Sequence, residues 1–419
     1  MRRAKIVCTL GPAVEGRMRE LVEAGMDVAR LNLSHGGYDE HKERYLEVRA
    51  ASDGVGRAVG VLVDDGKVTL RVTDVAGDEV TTRVEVGGTV SNNKGLNLPG
   101  VAMSVPALSD KDEADLRWAL HLRADMIALS FVRSAADIEP VHKIMEEEGV
   151  RLPVIAKIEK PQAVDNLEEI VRAFDGIMVA RGDLGVELPL EQVPMVQKQA
   201  VELARRAAKP VIVATQVLDS MITMPRPTRA EASDCANAVL DGADAIMLSA
   251  ETSVGKYALE SVRTMARIIE TTEEQGLERI APLGTRPSTK GGAVTYAAAT
   301  VGDLLDVSFL VAFTQSGDSA RRMSRLRSRI PLLAFTPDPS VRSQLALTWG
   351  VETFLTEEVQ HTDDMVKQVD EALLSIGRCS RGEQVVIVAG SPPGIPGSLN
   401  ALRVHRMGDA VGGLAPAYK

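Results

Sequence analysis

Eight short runs rich in Val, Ile and Leu recur at strand length through the first part of the chain. They lie at 5–10, 28–34, 59–63, 126–132, 153–159, 176–180, 210–216 and 245–249. Between most of them the apolar residues change to helical spacing, at 17–24, 39–51, 110–122, 135–148, 162–173, 190–207 and 229–240, and once more at 256–274. Unbroken apolar strands alternating with amphipathic helices predict a parallel sheet covered by helices. Eight such units in about 250 residues predict an α/β fold of the closed (β/α)8, or TIM barrel, type, with an open doubly wound sheet as the alternative.

The rhythm breaks once. After 59–63, where a helix is due, Thr69–Val72 and Thr81–Val86 alternate with period two, separated by the turn signals Gly77-Asp78 and Gly87-Gly88. This predicts a short β lid over 64–100, inserted after the third strand, between barrel segments 1–63 and 101–275. Residues 276–292, with Pro, Gly, Ser and Thr and little periodicity, read as a linker. Beyond it, strands at 309–313, 331–336, 351–355 and 384–389 alternate with helices at 293–305, 318–327, 338–346 and 361–376. This predicts a C-terminal domain over 293–419 with an open α/β sheet.

Composition narrows the function. With 48 Lys and Arg against 58 Asp and Glu, the net charge of −10 lacks the basic footprint of a nucleic-acid binder. No apolar run approaches the ~20 residues of a membrane helix, and the opening residues lack the apolar stretch of a signal peptide. Cys8, Cys235 and Cys379 are far apart, so neither a disulfide framework nor a zinc spacing is present. A cytoplasmic protein is expected.

The chemistry-bearing residues gather at the C-terminal ends of the predicted strands, the face on which barrels build active sites. In Ile155-Ala156-Lys157-Ile158-Glu159, Lys157 and Glu159 are two apart and share one face of the fifth strand, as a structural ion pair or as a catalytic one. The sixth strand ends in Arg181-Gly182-Asp183-Leu184-Gly185, which reads as a glycine turn. Its N–H groups can meet an anion, and its Asp183 can join Glu159 on a hard divalent ion such as Mg²⁺. The second strand carries Arg30, Asn32 and Ser34 at alternate positions, a set suited to a phosphate plus a monovalent cation. His35 follows, as a helix-start residue or as a ligand contact, and Thr215 places a hydroxyl at the rim after strand seven. In the C-terminal domain, Thr314-Gln315-Ser316-Gly317-Asp318-Ser319 runs from a strand into a helix. It reads either as an anion cradle, with Arg321, Arg322 and Arg325 close behind, or as a helix cap.

Together these segments closely resemble the pyruvate kinase family. The matching stretches include TLGP at 9–12, VARLNLSHG at 28–36, VSNNKGLNLPG at 90–100, ALSFVR at 128–133, IAKIEKPQAV at 155–164, DGIMVARGDLGVE at 175–187, PVIVATQVLDSM at 210–221, the long run at 226–257 and TQSGDSARRMSR at 314–325. The resemblance implies a barrel, a lid inserted after strand three and a C-terminal regulatory domain, assembled as a homotetramer. It implies transfer of the phosphoryl group of phosphoenolpyruvate to ADP, giving pyruvate and ATP in glycolysis. Lys157 would stabilise the moving phosphoryl group and the enolate, and Arg30 would grip the phosphoryl group. Glu159 and Asp183 would hold Mg²⁺ (or Mn²⁺), and Asn32, Ser34 and Asp64 would hold K⁺. The backbone of Arg181, Gly182 and Asp183 would receive the substrate carboxylate, with Thr215 beside the methylene carbon. Asn32, His35 and Lys94 would lie on the nucleotide side. Thr314, Gln315, Ser316, Gly317 and Ser319 would take a phosphorylated effector, a sugar phosphate or a nucleoside monophosphate.

The chain departs from the family at one place. Val61-Leu62-Val63 runs straight into Asp64-Asp65-Gly66-Lys67, so the Gly-Pro-x-Ile-Arg segment that opens the family's lid is absent, and Ala250 replaces a usual glycine. A halved lid is the one feature favouring a second reading, a binding protein that keeps the phosphoenolpyruvate or effector site without phosphorylating ADP. A third, a dikinase-type barrel, lacks phosphohistidine machinery and leaves the C-terminal domain unexplained.

Overall fold

Strands buried on both faces need apolar residues at every position, and the short runs found in the sequence meet that demand. The computed structural model describes residues 2–55, 58, 60–62, 69–76, 79–86, 108–359, 361–395 and 397–410. Its first sheet contains β1 (Lys5–Thr9), β2 (Val28–Arg30) and β3 (Gly60–Leu62). A separate antiparallel hairpin follows, β4 (Thr69–Ala76) with β5 (Glu79–Val86). The first sheet then resumes with β6 (Ile127–Leu129), β7 (Val154–Ile158), β8 (Gly176–Ala180), β9 (Val211–Ala214) and β10 (Ala245–Leu248).

Strand order fixes the shape. The eight parallel strands run β3-β2-β1-β10-β9-β8-β7-β6, with β1 paired to β10 from Lys5↔Ala245 to Cys8↔Leu248. Each step from one strand to the next along the chain therefore moves the same way across the sheet, except the step from β3 to β6, which joins its two ends. Right-handed crossovers in one direction put every helix on one face. The other face curls inward as a barrel interior. Among the described residues, the ladder between β3 and β6, each three residues long, is the one not formed.

The two faces sort the side chains by period two. Val7, Val28, Ile155, Met178, Ile212 and Met247 share the interior cluster. Their neighbours Ile6, Cys8, Ala156, Val179, Val213 and Ile246 pack outward against the helices. Ala346 and Leu347, from the C-terminal domain, join the interior cluster. Lys5 Nζ donates to Val351 O at 2.9 Å, and Trp349 N donates to Asp244 Oδ1 at 3.1 Å. The C-terminal domain thus plugs the N-terminal end of the barrel, and the opposite mouth remains for chemistry.

That domain holds β11 (Phe309–Phe313), β12 (Leu332–Thr336), β13 (Val351–Leu355), β14 (Gln384–Gly390) and β15 (Leu399–Arg406), in the order β13-β12-β11-β14-β15. β15, which is antiparallel to β14, has no counterpart in the sequence reading. It is an edge strand with charged positions in Leu-Arg-Val-His-Arg, so its apolar pattern is weak.

Two further expectations change. Barrel strands predicted at 28–34, 126–132 and 210–216 end earlier, at Arg30, Leu129 and Ala214. Phe131, Thr215 and Gln216 adopt left-handed backbone conformations, with φ of 56°, 67° and 55°, which no strand can continue through. The glycine turn predicted at 182–185 is instead part of a helix, Arg181–Glu187, that starts directly after β8.

Candidate active site

The interior of β7 sets the centre of the mouth. Ile155 points into the barrel, so the strand period carries Lys157 and Glu159 inward above it. Both are 1% exposed and form a close ion pair. Lys157 Nζ also donates to Ser130 Oγ at 3.4 Å, and Glu159 Oε2 accepts the Phe131 N–H at 2.8 Å. That second bond ties the carboxylate to a left-handed residue at the end of the neighbouring strand. Arg30, inward on β2 and buried, donates from Nη1 to Thr9 Oγ1 at 3.1 Å.

Charge gathers around the ammonium. Burial pushes the Lys157 pKa below the ordinary lysine value. The Glu159 carboxylate opposes that shift most strongly, Arg30 adds to it, and Asp183 opposes it. Two cations and two carboxylates, all buried, therefore act on one another at the mouth. Both carboxylates are buried, Asp183 being 9% exposed. Two hard oxygen donors of this kind suit Mg²⁺, which takes one or two carboxylates from a protein and the rest from substrate or water.

A second network shapes the rim. Thr215 Oγ1 accepts the Gly182 N–H at 2.6 Å and donates to Ala214 O at 2.7 Å, so two of the predicted residues meet directly. The Arg181 guanidinium does not face the mouth. It pairs with Asp234 at 2.7 Å and donates to Thr215 O at 3.0 Å and Gln216 O at 3.4 Å. A non-glycine residue in the left-handed region costs about 1–3 kcal/mol and persists only where its surroundings hold it. Arg181, anchored by Asp234, holds two such residues in tandem. Asp234→Ala should therefore lower stability by about 1–3 kcal/mol, through the lost charge-assisted bonds. An unchanged denaturation midpoint would show that the turn stands without the pair.

The remaining expected residues divide. Arg30, Lys157, Glu159, Asp183, Gly182 and Thr215 come together at the mouth. Asn32 and Ser34 lie beyond the end of β2 in a turn, where Asn32 Oδ1 accepts the Ser34 N–H at 3.3 Å. His35 is exposed next to them, and its carbonyl meets His41 Nε2 at 2.7 Å. Asp64 and Lys94 lie outside the described residues. Sequence reasoning gave no role to Thr9, Ser130, Phe131 or Asp234. All four sit in matching stretches, TLGP, ALSFVR and the run at 226–257, the only signal that could have marked them.

In the C-terminal domain, Thr314, Gln315, Ser316 and Ser319 line one pocket together with Asp318, Glu357 and Glu358. Gly317, at φ 80°, donates its N–H to Thr314 Oγ1 at 2.8 Å, which closes the loop ahead of the helix Asp318–Ser324.

Comparison with known proteins agrees with this geometry. A family model described as "Pyruvate kinase, barrel domain" matches residues 1–64 and 55–262, and "Pyruvate kinase, alpha/beta domain" matches 292–405. The barrel match comes in two stretches that overlap at 55–64, around the third strand. A pyruvate kinase of Mycobacterium tuberculosis is 55% identical over 468 positions, covering 97% of this chain and 99% of its own. One of Corynebacterium glutamicum is 53% identical over 469 positions, covering 97% and 98%, and one of Agrobacterium vitis 40% over 471, covering 97% and 99%. These alignments are longer than the 419-residue chain itself, so several dozen positions of each relative have no counterpart here.

Proposed function

From a chain that belongs to the pyruvate kinase family, and so is a phosphotransferase, we infer transfer of the phosphoryl group of phosphoenolpyruvate to ADP, giving pyruvate and ATP. One observation carries the reading of the site: Lys157 is buried at the barrel mouth in an ion pair with Glu159, and under the fields of Arg30 and Asp183. Phosphoryl transfer asks a protein mainly for positioning and for positive charge where oxygens gain negative charge. Arg30 grips the phosphoryl group, and Lys157 faces both it and the enolate oxygen left behind. The backbone of Arg181, Gly182 and Asp183 receives the substrate carboxylate. Thr215 lies beside the methylene carbon, its hydroxyl oriented by Gly182 and Ala214. Glu159 and Asp183 hold Mg²⁺ (or Mn²⁺), which when bound neutralises charge on the phosphate oxygens. Asn32 and Ser34, with Asp64, hold K⁺, and Asn32, His35 and Lys94 serve the nucleotide. A coupled assay with phosphoenolpyruvate, ADP, Mg²⁺ and K⁺ tests the reading, and failure to form ATP would sink it. The binding-protein reading gains nothing from the comparisons.

The same reading divides the chain into barrel segments 1–63 and 101–275, a lid at 64–100, a linker at 276–292 and a regulatory domain at 293–419. It makes the protein a cytoplasmic homotetramer. Exposed Tyr296, Leu304 and Leu305 on one helix, with Val404 on the edge strand β15, offer apolar surface for such assembly. Among the described residues no helix is long and apolar enough to cross a membrane.

A phosphorylated effector at Thr314, Gln315, Ser316, Gly317 and Ser319 is the remaining part of the reading, supported by four of the five lining one pocket. A panel of sugar phosphates and nucleoside monophosphates should include one that raises the thermal midpoint, and Ser316→Ala should weaken that response. If no compound shifts the midpoint and Ser316→Ala changes nothing, the loop is only a helix cap.

A further inference from the structure

The arginines that follow the hydroxyl cradle in sequence do not line its pocket. Among the described residues the cradle pocket is lined by no lysine or arginine, while Asp318, Glu357 and Glu358 all contribute to its walls. Arg321 and Arg325 are four apart and so share one helical face. They line a different, small cleft, between the C-terminal domain and the barrel. Arg327 joins them from the same side, and Arg205 and Lys209 come from the barrel. Five cations thus face one cleft, with Asp244 the single carboxylate among its walls.

Few of these cations are met by a carboxylate at ion-pair distance. Arg327 pairs with Asp244 at 3.2 Å, and none of the other four is in an ion pair among the described residues. Main-chain carbonyls take most of the bonds instead. Arg205 donates to Ala281 O at 3.0 Å and Arg325 O at 3.3 Å, Lys209 to Arg172 O at 2.7 Å, Arg325 to Arg206 O at 2.8 Å, and Arg321 to Ser316 O at 2.9 Å. Carbonyls accept hydrogen bonds but bring no net negative charge. Three donors remain over: Nε of Arg205, Arg325 and Arg327 is each buried and meets no acceptor. Arg205 and Arg327 are only 5% and 7% exposed, so water does not relieve them. Burial holds all five cations below their ordinary pKa values, Arg205 at about 10, where the neighbouring Arg327 adds to the effect. From outside the cleft walls Asp175 acts on Lys209 and Arg321, Asp318 on Arg321 and Arg325, Glu202 on Arg205 and Glu273 on Arg327, while Asp244 in the wall acts on both Arg205 and Arg327.

We propose that this interdomain cleft is a phosphate-binding site separate from the Thr314–Ser319 cradle, filled by the phosphate group that its unpaired guanidinium donors and the four cations outside any ion pair lack. A tetrahedral oxyanion supplies several acceptors at once and the missing negative charge, and forked guanidinium groups are matched to it. Because Arg321 lies on the helix that opens from the cradle and Arg205 and Lys209 belong to the barrel, the bound phosphate clamps one domain to the other.

The test is thermal unfolding and calorimetric titration of the full chain with inorganic phosphate, against chloride at matched ionic strength. Saturable stabilisation by phosphate is expected in the wild type. It should persist in Arg30→Gln, where the phosphoryl grip at the barrel mouth is removed, and in Ser316→Ala, where the cradle is altered. In Arg325→Gln and in Lys209→Gln the dissociation constant should rise roughly tenfold or more, as for loss of a charge-assisted contact. Glycerol phosphate as a second probe separates the sources: equal binding assigns the site to the phosphate group of a metabolite, and binding of inorganic phosphate alone assigns it to the free ion. The proposal is overturned by a wild type that shows no saturable phosphate effect, a result that needs no variant to fold. It is equally overturned if the effect survives both cleft variants, or is lost in Arg30→Gln or Ser316→Ala instead.

Discussion

Lys157→Met should abolish ATP formation from phosphoenolpyruvate and ADP while substrate binding survives. The ammonium is 1% exposed, pairs with Glu159 and sits in the fields of Arg30 and Asp183. Methionine keeps the length and fills the space, so what disappears is charge. Removing a preorganised charge aimed at the transition state costs on the order of 3–4 kcal/mol, or 10²–10³ in rate. The change also strips Glu159 of its ion-pair partner, which destabilises a buried carboxylate. The assay should therefore be run beside a folding measurement and a titration of phosphoenolpyruvate binding. A folded variant that keeps half the wild-type rate would remove Lys157 from the mechanism.

The carboxylates give the second large effect. Asp183→Ala and Glu159→Ala should each raise the Mg²⁺ concentration needed for half-maximal activity by roughly 10–100-fold or more. Even residues that only support a metal ligand cost that much when lost, and each change would remove one of the two protein donors proposed for the ion. Glu159 has a structural duty as well, because its Oε2 accepts the Phe131 N–H at 2.8 Å. Glu159→Gln, which keeps the size and an acceptor while losing the charge, separates the two duties. A large rise in the Mg²⁺ midpoint in Glu159→Gln assigns the effect to the metal rather than to the displaced Phe131 loop. Unchanged midpoints in both Asp183→Ala and Glu159→Gln would end the metal assignment.

Much of this site was legible before the fold was known, and for a definite reason. Alternation by two along a strand is a local rule, so Lys157 and Glu159 had to share a face, and the unbroken apolar runs marked which ends of the strands belonged together. The residues that escaped notice act across strands. Thr9 meets Arg30, Ser130 meets Lys157, and Asp234 reaches Thr215 through Arg181 from a helix in the next βα unit. Nothing local in Thr9 or Asp234 announces such a partner. The Arg181 side chain was likewise open in the sequence, and the fold turns it away from the mouth to hold the turn at 215–216.

The sequence by itself determined the repeating βα architecture, the interruption after the third strand and the shared face of Lys157 and Glu159. These follow from periodicity and from residue types at fixed spacing, which survive without knowledge of distant contacts. Tertiary structure alone decided where the strands Ile127–Leu129 and Val211–Ala214 stop, because Phe131, Thr215 and Gln216 take left-handed conformations held by hydrogen bonds from other strands' ends. It alone decided that the C-terminal domain plugs the barrel through Ala346 and Leu347. It also decided that Arg321 and Arg325 face the barrel and not the hydroxyl cradle beside them in sequence. Sequence proximity brings side chains to one helix, but the packing of that helix against its neighbour selects the face on which their charge is spent, and that selection is made by contacts hundreds of residues apart.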